Sequence, residues 1–439
     1  MNNRSMAVAV LALLPLSVPA QTPAQPTTTV IRAARMITVA SPNVVQNAAI
    51  VVTSDRIVDV GPSGSVTVPA GAKVIDLGDV TLLPGFIDTH THITGRTLGD
   101  PMGDVASVRD YPSYAAILGV ENARKTLLAG FTTIRVVGSD SFDDMALRQA
   151  ITDGRAKGPR MQNGGHSLGI TGGHCDSNGW RPGINEGGVA DGIANGPDEV
   201  RAAVRYQVKY GADVIKTCAT GGVLSEGDAV GTTQYNFEEM KAMVDEARQH
   251  ERKVAAHAHG TEGIKIATRA GVASIEHGSF LDAEGARLMA RNGTYLVPTL
   301  MAGEAVEKFA TSGVLKGLRA EKALAAAAAM RRAIRIAADN KVPIAFGTDA
   351  GVIPHGTNAR EFRLMVEWGG LSPLASLNAG TIHAARLLGW EKRVGTIETG
   401  KLADIIAVPG NPLQDIGQTE RVTFVMKGGT VYKGPGAIE

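Results

Sequence analysis

The sequence predicts an α/β fold: a (β/α)8 TIM barrel with a small β-sandwich accessory domain built from both termini. Three observations predict it. The middle of the 439-residue chain alternates short apolar strand patterns with helical ones, as parallel β/α architecture does. Both ends instead carry short strands separated by turn residues. Ligand-type side chains recur at the ends of the middle strands, where such barrels keep their chemistry.

Residues 1–20 read as a signal peptide, not as fold. Arg4 is a positive n-region, 6–16 a short apolar run, and Val18-Pro19-Ala20 a small-residue cleavage signature. That run is too short to span a bilayer, and no other stretch of about 18 uncharged apolar residues follows. The expectation is a protein exported to a periplasm or secreted, not an integral membrane protein. Residues 21–28 are a Pro/Thr/Gln-rich lead-in. One of the 44 basic residues, Arg4, lies in residues 1–20, which hold no acid, so the mature chain balances its 43 acidic residues. Formal neutrality argues against nucleic acid or an anionic membrane as the main partner. The two cysteines, Cys175 and Cys218, are too few for a disulfide framework, and whether they pair cannot be deduced from their spacing.

Residues 29–82 form the N-terminal part of the expected sandwich, with strands at 29–32, 49–52, 56–60 and 73–76. Pro62-Ser63-Gly64 and Pro69-Ala70-Gly71 supply turns. Residues 394–439 form its C-terminal part, with strands at 404–408, 421–426 and 430–432 and a hairpin turn at Lys427-Gly428-Gly429. Residues 83–393 are the barrel. Its first strand runs into His90, and the next seven lie at 131–137, 160–166, 213–218, 253–259, 274–278, 294–299 and 343–349. Helices are expected at 113–129, 197–210, 236–250, 261–270 and 320–340. The last contains the alanine run 325–329, a strong helix former read as facing solvent.

His90 and His92 end the run Leu83-Pro84-Gly85-Phe86-Ile87-Asp88-Thr89-His90-Thr91-His92. Residues two apart on a strand share a face, so two imidazoles there can grip one metal ion, and imidazole suits zinc. Alone, the pair is equally well an ordinary strand feature. Its weight comes from the residues that follow. Lys216 lies among apolar strand residues in Asp213-Val214-Ile215-Lys216-Thr217-Cys218. A buried lysine is unfavourable without a partner or a task. One reading is a salt bridge to a barrel acid. The other is carbamylation by CO2, which makes the ammonium a carboxylate able to bridge two metals. His257 ends strand five, His277 strand six and Asp349 strand eight. A purely structural origin does not readily place four histidines, a lysine and an aspartate on five strand ends.

These residues, with Gly395-Thr396-Ile397-Glu398-Thr399-Gly400-Lys401-Leu402-Ala403-Asp404 returning into the accessory domain, resemble the amidohydrolase superfamily over essentially the whole mature length. Thr171-Gly172-Gly173-His174, the Lys216 strand and Ala256-His257-Ala258-His259-Gly260 resemble its zinc-dependent Xaa-Pro dipeptidase and ochratoxinase-like group, and within that the bacterial ochratoxin A-hydrolysing amidohydrolases. The resemblance implies two zinc ions per chain. His90, His92 and Asp349 would hold one, His257 and His277 the other, with carbamylated Lys216 between them. Asp349 would also be general base and then general acid. His259 would serve the oxyanion or the substrate. His174, His166 and Tyr235 are the candidate substrate contacts, His174 and Tyr235 specifically for a free carboxylate. The glycine-rich stretch 169–196 reads as a lid or pocket wall. His250 and His383, on helices, read as structural, and His355 as a pocket-rim residue.

The implied activity is hydrolysis of the amide bond of N-acyl amino acids or dipeptides with a free carboxylate, with ochratoxin A, cleaved to ochratoxin alpha and phenylalanine, as the named substrate. An Xaa-Pro dipeptidase or other carboxypeptidase-like peptidase is the alternative. A one-metal deaminase of the same superfamily fits less well, because no acid follows the strand-five histidine until Glu262. A catalytically inactive scaffold on this barrel would be expected to have lost ligands, and none is missing. Analogy with relatives suggests a homo-oligomer, octamers included.

Overall fold

The computed structural model describes residues 27–225 and 227–438. The expected signal peptide and most of the lead-in lie outside the described residues. Fifteen strands follow in order: β1 (Thr28–Ile37), β2 (Val44–Thr53), β3 (Arg56–Pro62), β4 (Lys73–Asp76), β5 (Val80–Pro84), β6 (Phe86–Thr91), β7 (Phe131–Val136), β8 (Arg160–Asn163), β9 (Val214–Cys218), β10 (Lys253–Ala258), β11 (Ser274–His277), β12 (Tyr295–Val297), β13 (Ile405–Pro409), β14 (Phe424–Lys427) and β15 (Thr430–Lys433).

The two chain ends do build one β unit. Hydrogen bonding joins its eight strands into a single mixed sheet, β15-β14-β13-β5-β1-β2-β3 with β4 also on β1, where a small β-sandwich was expected. The reason lies in β1. One edge pairs antiparallel with β2 from Thr28 to Ile37. The other edge is divided, taking β4 at Thr29–Arg32 and β5 at Arg35 and Met36. β5 then pairs antiparallel with β13, which brings the C-terminal segment in.

β5 is the strand the sequence pattern does not separate. The apolar run ending at His92 was read as one barrel strand, yet it serves two sheets. Leu83 and Pro84 pair with Ile406 and Ile405 in the terminal sheet, while Phe86 opens β6 beside β7. Gly85 is the hinge. Its N–H donates to Asp404 O at 2.9 Å. A Cβ there would lie 2.1 Å from Thr132 Oγ1, so no side chain fits.

In the middle of the chain β6, β7 and β8 pair in parallel, as do β9 to β12. A bridge between Leu168 and Thr217 joins the two groups on one side. On the other, segment 343–350 bridges to Leu296 through Ile344 and to Thr91 through Ala350. This segment follows the expected eighth strand without a continuous ladder. The Phe346 N–H is drawn away to Ala379 O (3.0 Å), and Asp349 takes a left-handed conformation at φ 61°. The third strand also stops early, at Asn163. Gly165 turns at φ +67°, and a Cβ there would lie 2.7 Å from Gln207 Oε1.

Helices Tyr114–Leu128, Gly196–Lys209, Phe237–Gln249 and Thr261–Ala270 lie where the periodicity places them. Phe237–Gln249 starts at a capping box in which Asn236 and Glu239 exchange side chain-to-backbone bonds. The alanine-rich helix Gly317–Asp339 departs from expectation, because Ala326, Ala327 and Ala329 are buried. Small side chains let it approach helix Leu300–Thr311 closely, and a Cβ at Gly303 would lie 2.8 Å from Met330 Sδ. No helix among the described residues is long and apolar enough to cross a membrane.

Glu361 joins helix Arg360–Glu367 to the start of Leu300–Thr311. Its carboxylate accepts the N–H groups of Leu300 and Met301, both at 2.7 Å. Burial pushes its pKa up to about 8. A carboxyl whose folded pKa is raised gives stability that is complete below its unfolded value and is lost as pH rises through about 8. Glu361→Gln removes that titration. Across pH 5–8 its unfolding free energy should fall less steeply than the parent's, by up to about 1.4 kcal/mol per pH unit. Denaturant melts at several pH values check this, and parallel curves would count against it.

Candidate active site

The ligand-type residues converge where the parallel strands end, at the floor of a cavity of about 700 Å³. His90, His92, Lys216, His257, His259, His277 and Asp349 all line it. Two overlapping groups offer atoms within 4.8 Å of one another: His90, His277 and Asp349, and His257, His259 and His277. His92 Nε2 lies 3.4 Å and His90 Nε2 3.5 Å from Asp349 Oδ1. His277 at φ 68° and Asp349 at φ 61° are non-glycine residues in the left-handed region, where backbone strain often marks functional positions.

Each ring has one nitrogen occupied by the surrounding protein. His90 Nδ1 is 2.7 Å from Glu276 Oε2, His277 Nδ1 is 2.7 Å from Thr299 Oγ1, and His259 Nδ1 is 2.6 Å from Ser279 Oγ. His92 Nδ1 is 3.1 Å from Gly138 O. His90 Nε2 is buried without a hydrogen-bond partner among the described residues. Burial holds His90, His257 and His277 well below the ordinary imidazole range, His92 at about 4 and His259 at about 3. The rings are therefore neutral, the form that binds metal. Neutral nitrogens oriented from behind, together with one carboxylate, fit a divalent transition metal.

Burial lowers Lys216 to about 8, against the opposing pull of Glu276 and Asp349. A substantial neutral fraction then exists near physiological pH, and the neutral amine is the form that adds CO2. Burial raises Asp349 to about 6, a value suited to proton exchange near neutrality.

Behind the floor lies a network that the sequence pattern did not single out. Arg135, fully buried, donates to Glu276 Oε1 at 2.9 Å, and Glu276 in turn orients His90. Asp88 accepts from Thr348 Oγ1 at 2.6 Å and Asn358 Nδ2 at 2.8 Å, joining the first strand to the last segment. The available signal was a charged residue within each buried strand.

The other predicted residues divide. His166 and His174 line the cavity, and His174 stacks on His257 with ring centroids 4.2 Å apart. Tyr235 does not reach it. Its ring is fully buried, and its hydroxyl donates to Ala194 O at 3.0 Å, so it cannot meet a substrate carboxylate. His355 is also buried rather than at the rim. His250 and His383 bond Glu246 and Ile344 O at 3.1 Å each, as structural residues do. His257 and His259 sit in one donor group, so geometry alone does not separate ligand from neighbour. Cys175 and Cys218 are bridged. Cys175 to Ser177 and Asp191 make the 169–196 stretch a cavity wall.

Comparison with known proteins follows the same lines. The model of the amidohydrolase family matches residues 81–432. Ochratoxinase of Aspergillus niger is 36% identical over 374 residues, 81% of this chain and 76% of that protein. The crystal structure of a Xaa-Pro dipeptidase with bound methionine in the active site superposes with a TM-score of 0.87 at 40% identity, over 93% of this chain and 100% of that one. A prolidase complexed with N-methylphosphonate-L-proline gives a TM-score of 0.84 at 32% identity, over 93% and 100%.

Proposed function

This chain belongs to the amidohydrolase family and is a hydrolase of C–N bonds, and from that premise we propose a two-zinc enzyme that cleaves the amide of N-acyl amino acids bearing a free carboxylate. The observation that carries the proposal is the pair of overlapping groups of neutral, oriented donors at one cavity floor. The parallel ring that holds them is read as a (β/α)8 barrel. His90, His92 and Asp349 would hold one ion and His257 and His277 the other, with carbamylated Lys216 shared between them. When bound, the ions supply Lewis-acid polarisation of the amide carbonyl and acidify water.

The chain's own residues do the rest. Asp349 accepts a proton from the attacking water and returns it to the leaving nitrogen. His259, whose Nδ1 lies 2.6 Å from Ser279 Oγ, would serve the developing negative charge by donating from its other ring nitrogen. With Tyr235 withdrawn, His174 is the remaining candidate for the substrate carboxylate, and His166 lines the same cavity as a further substrate contact. Leu98, Val223, Leu224, Val306, Leu315 and Met330 form an apolar wall above the floor. That wall suits a substrate apolar on both sides of its amide, as ochratoxin A is, with an aromatic acid joined to phenylalanine. A second reading, Xaa-Pro dipeptidase, is favoured by the 40% identity to such an enzyme. We propose further that the protein is exported and forms a homo-oligomer.

The test compares hippuryl-phenylalanine with its methyl ester and its amide on zinc-loaded protein, with Xaa-Pro dipeptides and ochratoxin A alongside. A site that reads the carboxylate should lose about 1–3 kcal/mol per donor left unpaired by the ester or amide, roughly 5- to 150-fold in kcat/KM. Equal rates on all three would reduce the protein to a general amidase. Preference for the Xaa-Pro series would select the second reading.

A further inference from the structure

The loop wall of the cavity is fastened by one covalent link. Cys175 and Cys218 form a disulfide across a sequence separation of 43, with Cα atoms 5.9 Å apart. Cys218 ends β9, two residues beyond Lys216, and Cys175 directly follows His174. Both cysteines line the cavity.

His174 is held by little else. Among the described residues, hydrogen bonds from residues 170–178 stay within the 169–196 stretch, except that the His174 N–H donates to Gln234 Oε1 at 3.0 Å. The ring fills a space that exists because Gly222 has no side chain, since a Cβ there would lie 2.1 Å from His174 Cε1. Its Nδ1 is buried and has no hydrogen-bond partner among the described residues. A buried polar atom without a partner calls for an explanation, and a bound water or ligand group beside the ring supplies one.

We propose that the Cys175–Cys218 disulfide is a positioning element that fixes His174 against His257 as a substrate-contacting imidazole. The inference rests on the reading of this cavity as the amide-hydrolysing site. The cross-link ties the loop to the strand that carries Lys216, and so sets the distance between the substrate contact and the reacting centre. Without it, Gln234 alone joins this part of the loop to the body by a hydrogen bond, and the ring can leave the His257 face.

The experiment combines amide hydrogen exchange with a mutant cycle. In Cys175→Ser/Cys218→Ser, amides of residues 170–178 should lose protection while those of 214–218 keep theirs. Zinc content should be unchanged, and kcat/KM on hippuryl-phenylalanine should fall roughly 10- to 100-fold, as misplacement of a contact does. His174→Gln in the bridged protein should fall similarly. Joined with the cysteine changes it should fall no further, because both act on one contact. If the double variant does not fold, treating folded parent with a phosphine reaches the same state: phosphine and water become phosphine oxide while two electrons and two protons convert the disulfide to two thiols. Multiplying losses, unchanged protection or loss of zinc would each overturn the proposal. A parent that does not turn over hippuryl-phenylalanine counts against the amide reading instead, and the exchange measurement then decides the tether.

Discussion

Asp349→Asn should keep the fold and cut kcat by at least about 10²-fold, the low end of what general acid–base catalysis supplies. The isosteric amide preserves volume and one acceptor oxygen at a site within 3.5 Å of both His90 and His92. What it loses is the ability to take a proton and give it back. Burial already holds the Asp349 carboxyl at about 6, so it exchanges protons in the range where the amide cannot act at all. The measurement is kcat on hippuryl-phenylalanine with circular dichroism as the check on folding. Near-normal turnover would move proton transfer elsewhere, and His259 is the nearest group able to take it up.

Lys216→Ala should lose both activity and metal. Lys216 is buried at the cavity floor with no hydrogen bond from its amine to any described residue. A bridging carbamate would account for that placement, and the salt bridge to a barrel acid would not. Metal analysis of the reconstituted parent should approach two zinc per chain and that of the variant should fall well short. Short carboxylic acids, which fit the space left by the side chain, should restore part of the turnover. One zinc per chain in the parent would favour a deaminase, and none would favour an inactive scaffold. A variant that retains two zinc ions and activity would reduce Lys216 to a structural role.

The site was more legible than its setting. His90, His92, Lys216, His257, His277 and Asp349 were readable because each lies at or near the end of an apolar strand pattern, where the period leaves few directions for a side chain to point. Tyr235 misled because an aromatic residue just after the fourth-strand loop lies close to the site in sequence. Only the fold shows that its hydroxyl is spent on Ala194 O. Glu276 and Arg135 went unnoticed because their pairing joins strands far apart in the chain. β5 was hidden because alternation of faces cannot show where an apolar run changes sheets. Gly85 carried that information, yet a glycine within a strand has several causes. The alanine run was placed on solvent from its composition, although its burial depends on a neighbouring helix the pattern did not foresee.

The way β5 is shared has a consequence for how the chain acquires its structure. Leu83 and Ile406 are partners although more than 300 residues of barrel lie between them. A growing chain therefore exposes one edge of β5 until β13 arrives, and contacts of such long range form slowly. During that interval the apolar edge can template pairing with another chain. A chain cut short before Ile405 would keep every proposed metal ligand and still be prone to aggregate, for want of the strand that covers this edge.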